Sequence, residues 1–202
     1  MKILITGFEG FLDYPENPAE WVAREFIGWS YQDWEARVQI LPVTYSGCLP
    51  TFQKKAEAEN PELVVHFGVS HLAQKVTLER VALNLLDSRY PDNEGKIYRE
   101  TPILENGEKA YFSEMPLLTI GKALLEENQI EVEVSNHAGA YICNYLYYSS
   151  QSLKEDLGYE SLFIHVPPSQ VKKKEYLDTI FKDAAGVVKK LCDWVEEKSQ
   201  NE

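Results

Sequence analysis

The stretch Leu63–Gly68, "LVVHFG", is almost continuously apolar, with His66 its one polar member. A strand with one solvated face alternates apolar and polar residues. An unbroken run belongs instead to a strand covered on both faces, as in parallel sheets lying between helices. Similar runs occur at Lys2–Thr6, Arg37–Val43, Lys75–Leu83, Glu131–Ser135 and Ser161–Val166, with helical spacing at Ala19–Ile27, Thr51–Ala58, Met115–Glu127 and Ile142–Leu153. Near the end, Leu177, Ile180, Phe181, Ala184, Val187, Val188, Leu191, Cys192 and Val195 recur at three- and four-residue steps, so they form one stripe of a long helix. Strands interleaved with helices predict a three-layer α/β/α sandwich with a largely parallel, mixed central sheet, built as a single domain over residues 1–202.

Composition narrows the partners. The chain is 44% hydrophobic and 26% charged, which suits a globular protein. Its 32 Asp and Glu outnumber 20 Lys and Arg, for a net charge of −12, and such a field repels a phosphate backbone, so no nucleic-acid partner is expected. The apolar runs are too short to span a membrane. Met1–Gly7, "MKILITG", reads as a first strand and not as a signal peptide. Three widely spaced cysteines suit neither a disulfide framework nor a zinc site, which makes a cytoplasmic setting the expectation. Neither GxxxxGK[ST] nor GxGxxG occurs, and no set of residues has metal-ligand spacing, so no cofactor is expected. Asp87–Lys109 is rich in Pro, Asp, Asn and Gly and reads as a long loop, either functional or a solvated excursion.

Chemistry-bearing residues are few. Cys192 lies in the apolar stripe and reads as core filling. Cys48 and Cys143 both lie near helix starts, where orphan N–H groups and the helix dipole favour a thiolate. A cysteine nucleophile needs a base, and the base an orienting group. His66 reads as a satisfied core histidine, and His71 and His137 as exposed turn residues. His165 ends the strand "LFIHVPP", which Pro167 and Pro168 stop, and open α/β sheets build their sites at strand carboxyl ends. It is either a base or a histidine capping the core. Glu79 and Arg80 are adjacent in the β-like run "KVTLERVALN", so they point to opposite faces. Glu79 is then either a surface residue on an edge strand or the group that holds His165.

Taken together, these segments resemble the pyroglutamyl peptidase I (pyrrolidone carboxyl peptidase) family of cysteine peptidases. "ITGFEGF" with Asn17–Pro18, "VVHFGVS" with "VTLERVALN", "RYPDNEG", "SNHAGAYICNYLYY" and "FIHVPP" are similar to its motifs and occur in its order, so the likeness covers nearly the whole chain. There are departures: Gly10 stands where the family has proline, "LDYPE" (Leu12–Glu16) where it has a glycine pair, Val69 where glutamine is common, and Tyr90 where a smaller aliphatic residue is usual.

The resemblance implies removal of an N-terminal 5-oxoproline from peptides by a catalytic set of Cys143, His165 and Glu79. Phe8 and Phe11 would sandwich the lactam, with Tyr90, Tyr141 and Ile142 completing the wall. Arg89, with backbone N–H groups at the Cys143 turn, would stabilise the oxyanion. It implies peptides as partners and allows a homo-oligomer as well as a monomer. Two other readings stay open on sequence. One is a catalytically impaired homologue that only binds 5-oxoprolyl groups, and the other a phosphorylase or hydrolase on a similar sandwich without a cysteine nucleophile.

Overall fold

The computed structural model describes residues 1–11, 16–168 and 174–201. In chain order the elements are β1 (Lys2–Phe8), α1 (Pro18–Glu25), β2 (Ser30–Tyr31), β3 (Trp34–Leu41), α2 (Cys48–Glu59), β4 (Leu63–Val69), β5 (Thr77–Glu79), β6 (Val81–Leu83), β7 (Ala110–Phe112), α3 (Leu117–Asn128), β8 (Glu133–Ser135), α4 (Ile142–Leu157), β9 (Glu160–Val166) and α5 (Lys174–Asn201). The apolar run around His66 is β4, buried along its whole length. It lies inside a seven-stranded sheet of order β2-β3-β1-β4-β9-β5-β8, with β6 and β7 forming a separate pair. β3, β1, β4 and β9 are mutually parallel, whereas β5 runs antiparallel to β9 and takes β8 with it.

Alternation along the strands divides the interior into two cores. Ile3, Ile5, Val65, Phe67, Leu162 and Ile164 pack with α1, α3 and α5, and most of the predicted α5 stripe is buried there, Cys192 included. Leu4, Val64 and Phe163 point the other way and pack with α2 and α4. This is the expected three-layer sandwich with a mixed, mostly parallel sheet. Helix α1 starts where the sequence says it should. Asn17 caps it by accepting the Ala19 N–H, and Pro18 occupies the first turn.

The run expected as one strand over Lys75–Leu83 is two strands, β5 and β6. At Arg80 the backbone N–H still bonds Ser135, but the carbonyl accepts from Ser113 and the chain leaves the sheet. Buried Asn144 of α4 then holds β6, accepting from Leu83 N–H and donating to the Leu83 and Leu85 carbonyls. β5 is therefore an interior strand, and the reading of Glu79 as an edge-strand surface residue is overturned. The short β2 and β7 carry too few residues for a periodic signal.

The long loop is irregular, as expected, but ordered by its own polar groups. Buried Asp92 accepts the backbone N–H groups of Glu94, Lys96 and Tyr45, and the Asn93 side chain donates to Glu9 and Gly10 beyond β1. Of the altered opening loop, Leu12–Pro15 lies outside the described residues.

Close packing of α1 on β1 depends on Gly7. A Cβ there would lie 2.5 Å from the Ala19 carbonyl oxygen and 2.8 Å from Ala23 Cβ, with no soft side chain to give way. Gly7→Ala is therefore expected to destabilise the protein by about 1–3 kcal/mol, the usual range for overpacking. Urea denaturation would show it, and an unchanged midpoint would contradict this packing.

Candidate active site

The β9 run delivers His165 to the carboxyl end of the parallel strands, where Pro167 and Pro168 follow. The antiparallel register pairs Thr77 with His165 and Glu79 with Phe163, which sets Glu79 diagonally beside His165 on the same face. The result is a contact of 2.7 Å between Glu79 Oε1 and His165 Nδ1. Glu79 is only 2% exposed and its Oε2 has no hydrogen-bond partner among the described residues, so the imidazole is the main compensation for a buried carboxylate. Tyr147 donates its hydroxyl to the Glu79 carbonyl and fixes the backbone at that point.

Cys143 approaches His165 from the first turn of α4, and its thiol group is half-buried. Glycine at position 68 makes the approach possible. Gly68 is the register partner of His165, and a Cβ there would meet the Phe163 ring at 2.7 Å and Cys143 Sγ at 3.0 Å. Burial pulls the His165 imidazole down, but hydrogen bonds to Cys143 and Glu79 and their negative charge outweigh it, and its pKa is raised to about 9. With Nδ1 committed to Glu79, Nε2 is the nitrogen left for the sulfur. A thiol, an imidazole and a buried carboxylate thus lie together, the three group types that cysteine-nucleophile chemistry can employ.

A cleft of about 530 Å³ opens at this point, lined by residues that include Phe8, Phe11, Val43, Val69, Tyr141, Ile142, Cys143 and His165. Phe8 and Ile142 are buried in its floor, and Phe11 and Tyr141 are half-buried with ring centroids 6.4 Å apart. Tyr141 donates its hydroxyl to the Pro91 carbonyl, and Tyr45 packs edge-on against its ring. Tyr90 also lines the cleft but is 64% exposed, so it belongs to the rim. Arg89 is exposed and is not among the lining residues.

A family model described as pyroglutamyl peptidase matches residues 1–186. The chain belongs to the pyroglutamyl peptidase family. The pyrrolidone-carboxylate peptidase of Pyrococcus furiosus is 37% identical over 178 residues, covering 86% of this chain and 85% of that one. That of Thermococcus litoralis is 34% identical over 180 residues, covering 87% and 81%. Among solved structures, the pyrrolidone carboxyl peptidase of Pyrococcus furiosus superposes with a TM-score of 0.88 at 32% identity, over 96% of this chain and 100% of that one. The enzyme of Fervidobacterium islandicum does so with a TM-score of 0.86 at 28% identity, over 96% and 99%. The pyroglutamyl peptidase resemblance drawn from sequence motifs is thus established at the level of family and fold.

Several residues of the cleft escaped the sequence reading. His71 and His137 are exposed, as expected of turn residues, yet both line the cleft, together with Ser70, Leu72 and Asn17. Asp92, which orders the loop behind the cleft without lining it, did carry a local signal in "YPDNEG", because Asp followed by polar turn residues is a loop-ordering pattern. The other histidine, His66, is buried, with Nδ1 bonded to Thr6 Oγ1 at 2.8 Å and Nε2 without a partner among the described residues. Burial pushes its pKa down to about 3, so it stays neutral. Burial also pushes the thiols of Cys48 and Cys192 well up, which keeps them protonated and inert.

A soft alkylating agent is therefore expected to label Cys143 well before Cys48 or Cys192. Peptide mapping after partial modification checks this. Earlier labelling of Cys48 would contradict the accessibility described here.

Proposed function

We propose that this chain is a cysteine exopeptidase that hydrolyses the bond after an N-terminal 5-oxoproline. The observation that carries the reading is the buried Glu79–His165 contact set directly behind a half-buried Cys143 in an aromatic cleft. Membership of a peptidase family supports it and tells against a phosphorylase on the same sandwich. The relatives are named for action on pyrrolidone carboxylate, the same five-membered lactam.

In this proposal the lactam ring sits among Phe8, Phe11, Tyr141 and Ile142. That lining suits a neutral ring and would have to desolvate the charged amine of an ordinary N-terminus. The Cys143 thiolate attacks the acyl carbon joining 5-oxoproline to the next residue. The N–H groups of Ile142, Cys143 and Asn144 precede the first intrahelical bond of α4, from Tyr145 N–H to the Tyr141 carbonyl. They supply the oxyanion donors in place of Arg89, which is exposed. His165 gives its proton to the leaving amine nitrogen as the C–N bond breaks, leaving a thioester on Cys143. Nε2 then takes a proton from water, whose oxygen attacks the thioester and releases 5-oxoproline and the thiolate. Glu79 holds the imidazole in position and balances its charge throughout. A thiolate nucleophile and three unpaired cysteines fit a reducing, cytoplasmic setting. No helix among the described residues is long and apolar enough to cross a membrane.

Release of a chromogenic amine from a 5-oxoprolyl amide, with the matching prolyl amide as comparison, tests the specificity. Turnover of the lactam and essentially none of the prolyl amide is expected, and comparable rates on both would contradict the pocket assignment. His165 keeps its proton up to about pH 9, so the acid form is present at neutral pH and kcat/KM should fall as pH rises through about 9. A decline centred near pH 6.5 would mean that Cys143 and Glu79 do not hold that proton. Glu79→Gln keeps the shape but removes the charge opposite the imidazolium. Its kcat should drop by roughly a hundredfold or more, as positioned acid–base groups contribute. Wild-type kcat in a folded Glu79→Gln protein would take Glu79 out of the mechanism.

A further inference from the structure

The cleft is larger than its proposed ring. A 5-oxoprolyl group has roughly eight non-hydrogen atoms, and even at about 30 Å³ for each, the share of a water molecule in the liquid, it fills under half the volume. The cleft volume is about 530 Å³. The strand order says where the remainder lies. Across the carboxyl ends the order is β3-β1-β4-β9, followed by β5 and β8. The ring-side residues Val43, Phe8 and Phe11 come from the β3 and β1 ends, and His165 sits on β9. Ser70–Leu72 belong to the arch that leaves β4, passes the end of β9 and enters β5, while His137–Gly139 follow β8. The reacting sulfur and imidazole therefore lie between an aromatic end and a second end walled by His71, Leu72 and His137.

That second end is built by local hydrogen bonds. Ser70 N–H bonds the Val166 carbonyl, immediately beyond His165, and Ala73 N–H returns to the Ser70 carbonyl. The Ser70 hydroxyl accepts from Leu72 N–H, closing a tight turn. On the facing loop the Ser135 hydroxyl accepts from His137 N–H, and His137 Nδ1 accepts from Gly139 N–H. A neutral His137 therefore carries its proton on Nε2. Leu72 is 90% exposed, so this turn holds a large apolar side chain in water at the lip of the cleft. An exposed leucine is ordinary by itself. One fixed on a hydrogen-bonded turn, and lining the same cleft as two further imidazole rings and the reacting groups, has an occupant available in every peptide substrate.

We propose that Leu72, with His71 and His137, forms a subsite for the side chain of the residue following 5-oxoproline, and that it favours bulky apolar or aromatic side chains over small ones. The proposal rests on the peptidase reading above. With the acyl ring held on the β1 side of the sulfur, the leaving residue extends toward β5 and β8, onto Leu72. The contact is made in the substrate and is kept until the amine departs, so it acts on kcat/KM for the whole peptide.

The test is competition between 5-oxoprolyl-leucine amide, 5-oxoprolyl-phenylalanine amide and 5-oxoprolyl-glycine amide, with release of each amino-acid amide quantified. The wild type should favour leucine and phenylalanine over glycine by about tenfold or more, as differences of a few methylene groups allow in an apolar site. Leu72→Ser should cut that preference at least fivefold. Hydrolysis of all three at similar kcat/KM, or an undiminished preference in Leu72→Ser, would overturn the subsite while leaving the peptidase reading intact. Failure to hydrolyse any of them would overturn the peptidase reading, and the subsite with it.

Discussion

A buried carboxylate in contact with a buried imidazole is the constraint on which the rest of this structure turns. Glu79 Oε1 lies 2.7 Å from His165 Nδ1, and both residues are almost wholly removed from water. A carboxylate in that position is costly unless something compensates it, and its second oxygen has no hydrogen bond among the described residues. The imidazole compensates by holding its proton, against burial that would otherwise strip it. The pair is poised by the balance of these two effects.

The fold arranges itself around this pair. β5 runs antiparallel to its neighbour β9, whereas β3, β1, β4 and β9 are mutually parallel, and that reversal is what places Glu79 diagonal to His165. The sheet must then release the chain at Arg80, and Asn144 and Tyr147 of α4 secure β6 and the Glu79 carbonyl. The helix that bears Cys143 thus also braces the carboxylate behind His165. Gly68 lets the same helix bring the sulfur down onto the sheet. The aromatic side of the cleft is further supported by the Asp92-centred loop and by the Tyr141 hydroxyl bond to Pro91.

Much of this was legible because it depends on local pattern. The unbroken run around His66 predicted a strand covered on both faces, and the Pro167–Pro168 stop put His165 at a strand end. The α5 stripe likewise exposed Cys192 as core. What local pattern could not provide was the reversal of β5, since a three-residue strand has no readable direction, or the break at Arg80, which depends on Asn144 across the fold. The choice of Cys143 over Cys48 came from the family resemblance. Both begin helices, and only three-dimensional burial separates them physically. His71, Leu72 and His137 sit in turns whose sequences look like ordinary surface, and only the arch over β9 and the loop after β8 make them part of the cleft.

Glu79 and Cys143 hold a proton on His165 well above the ordinary histidine range. The most direct measurement is an NMR titration of the His165 imidazole in the wild type and in Glu79→Gln. The expected midpoint is about 9 in the wild type, moving substantially downward when the carboxylate charge is removed. A wild-type midpoint at or below 6.5, or one that Glu79→Gln leaves in place, would contradict it.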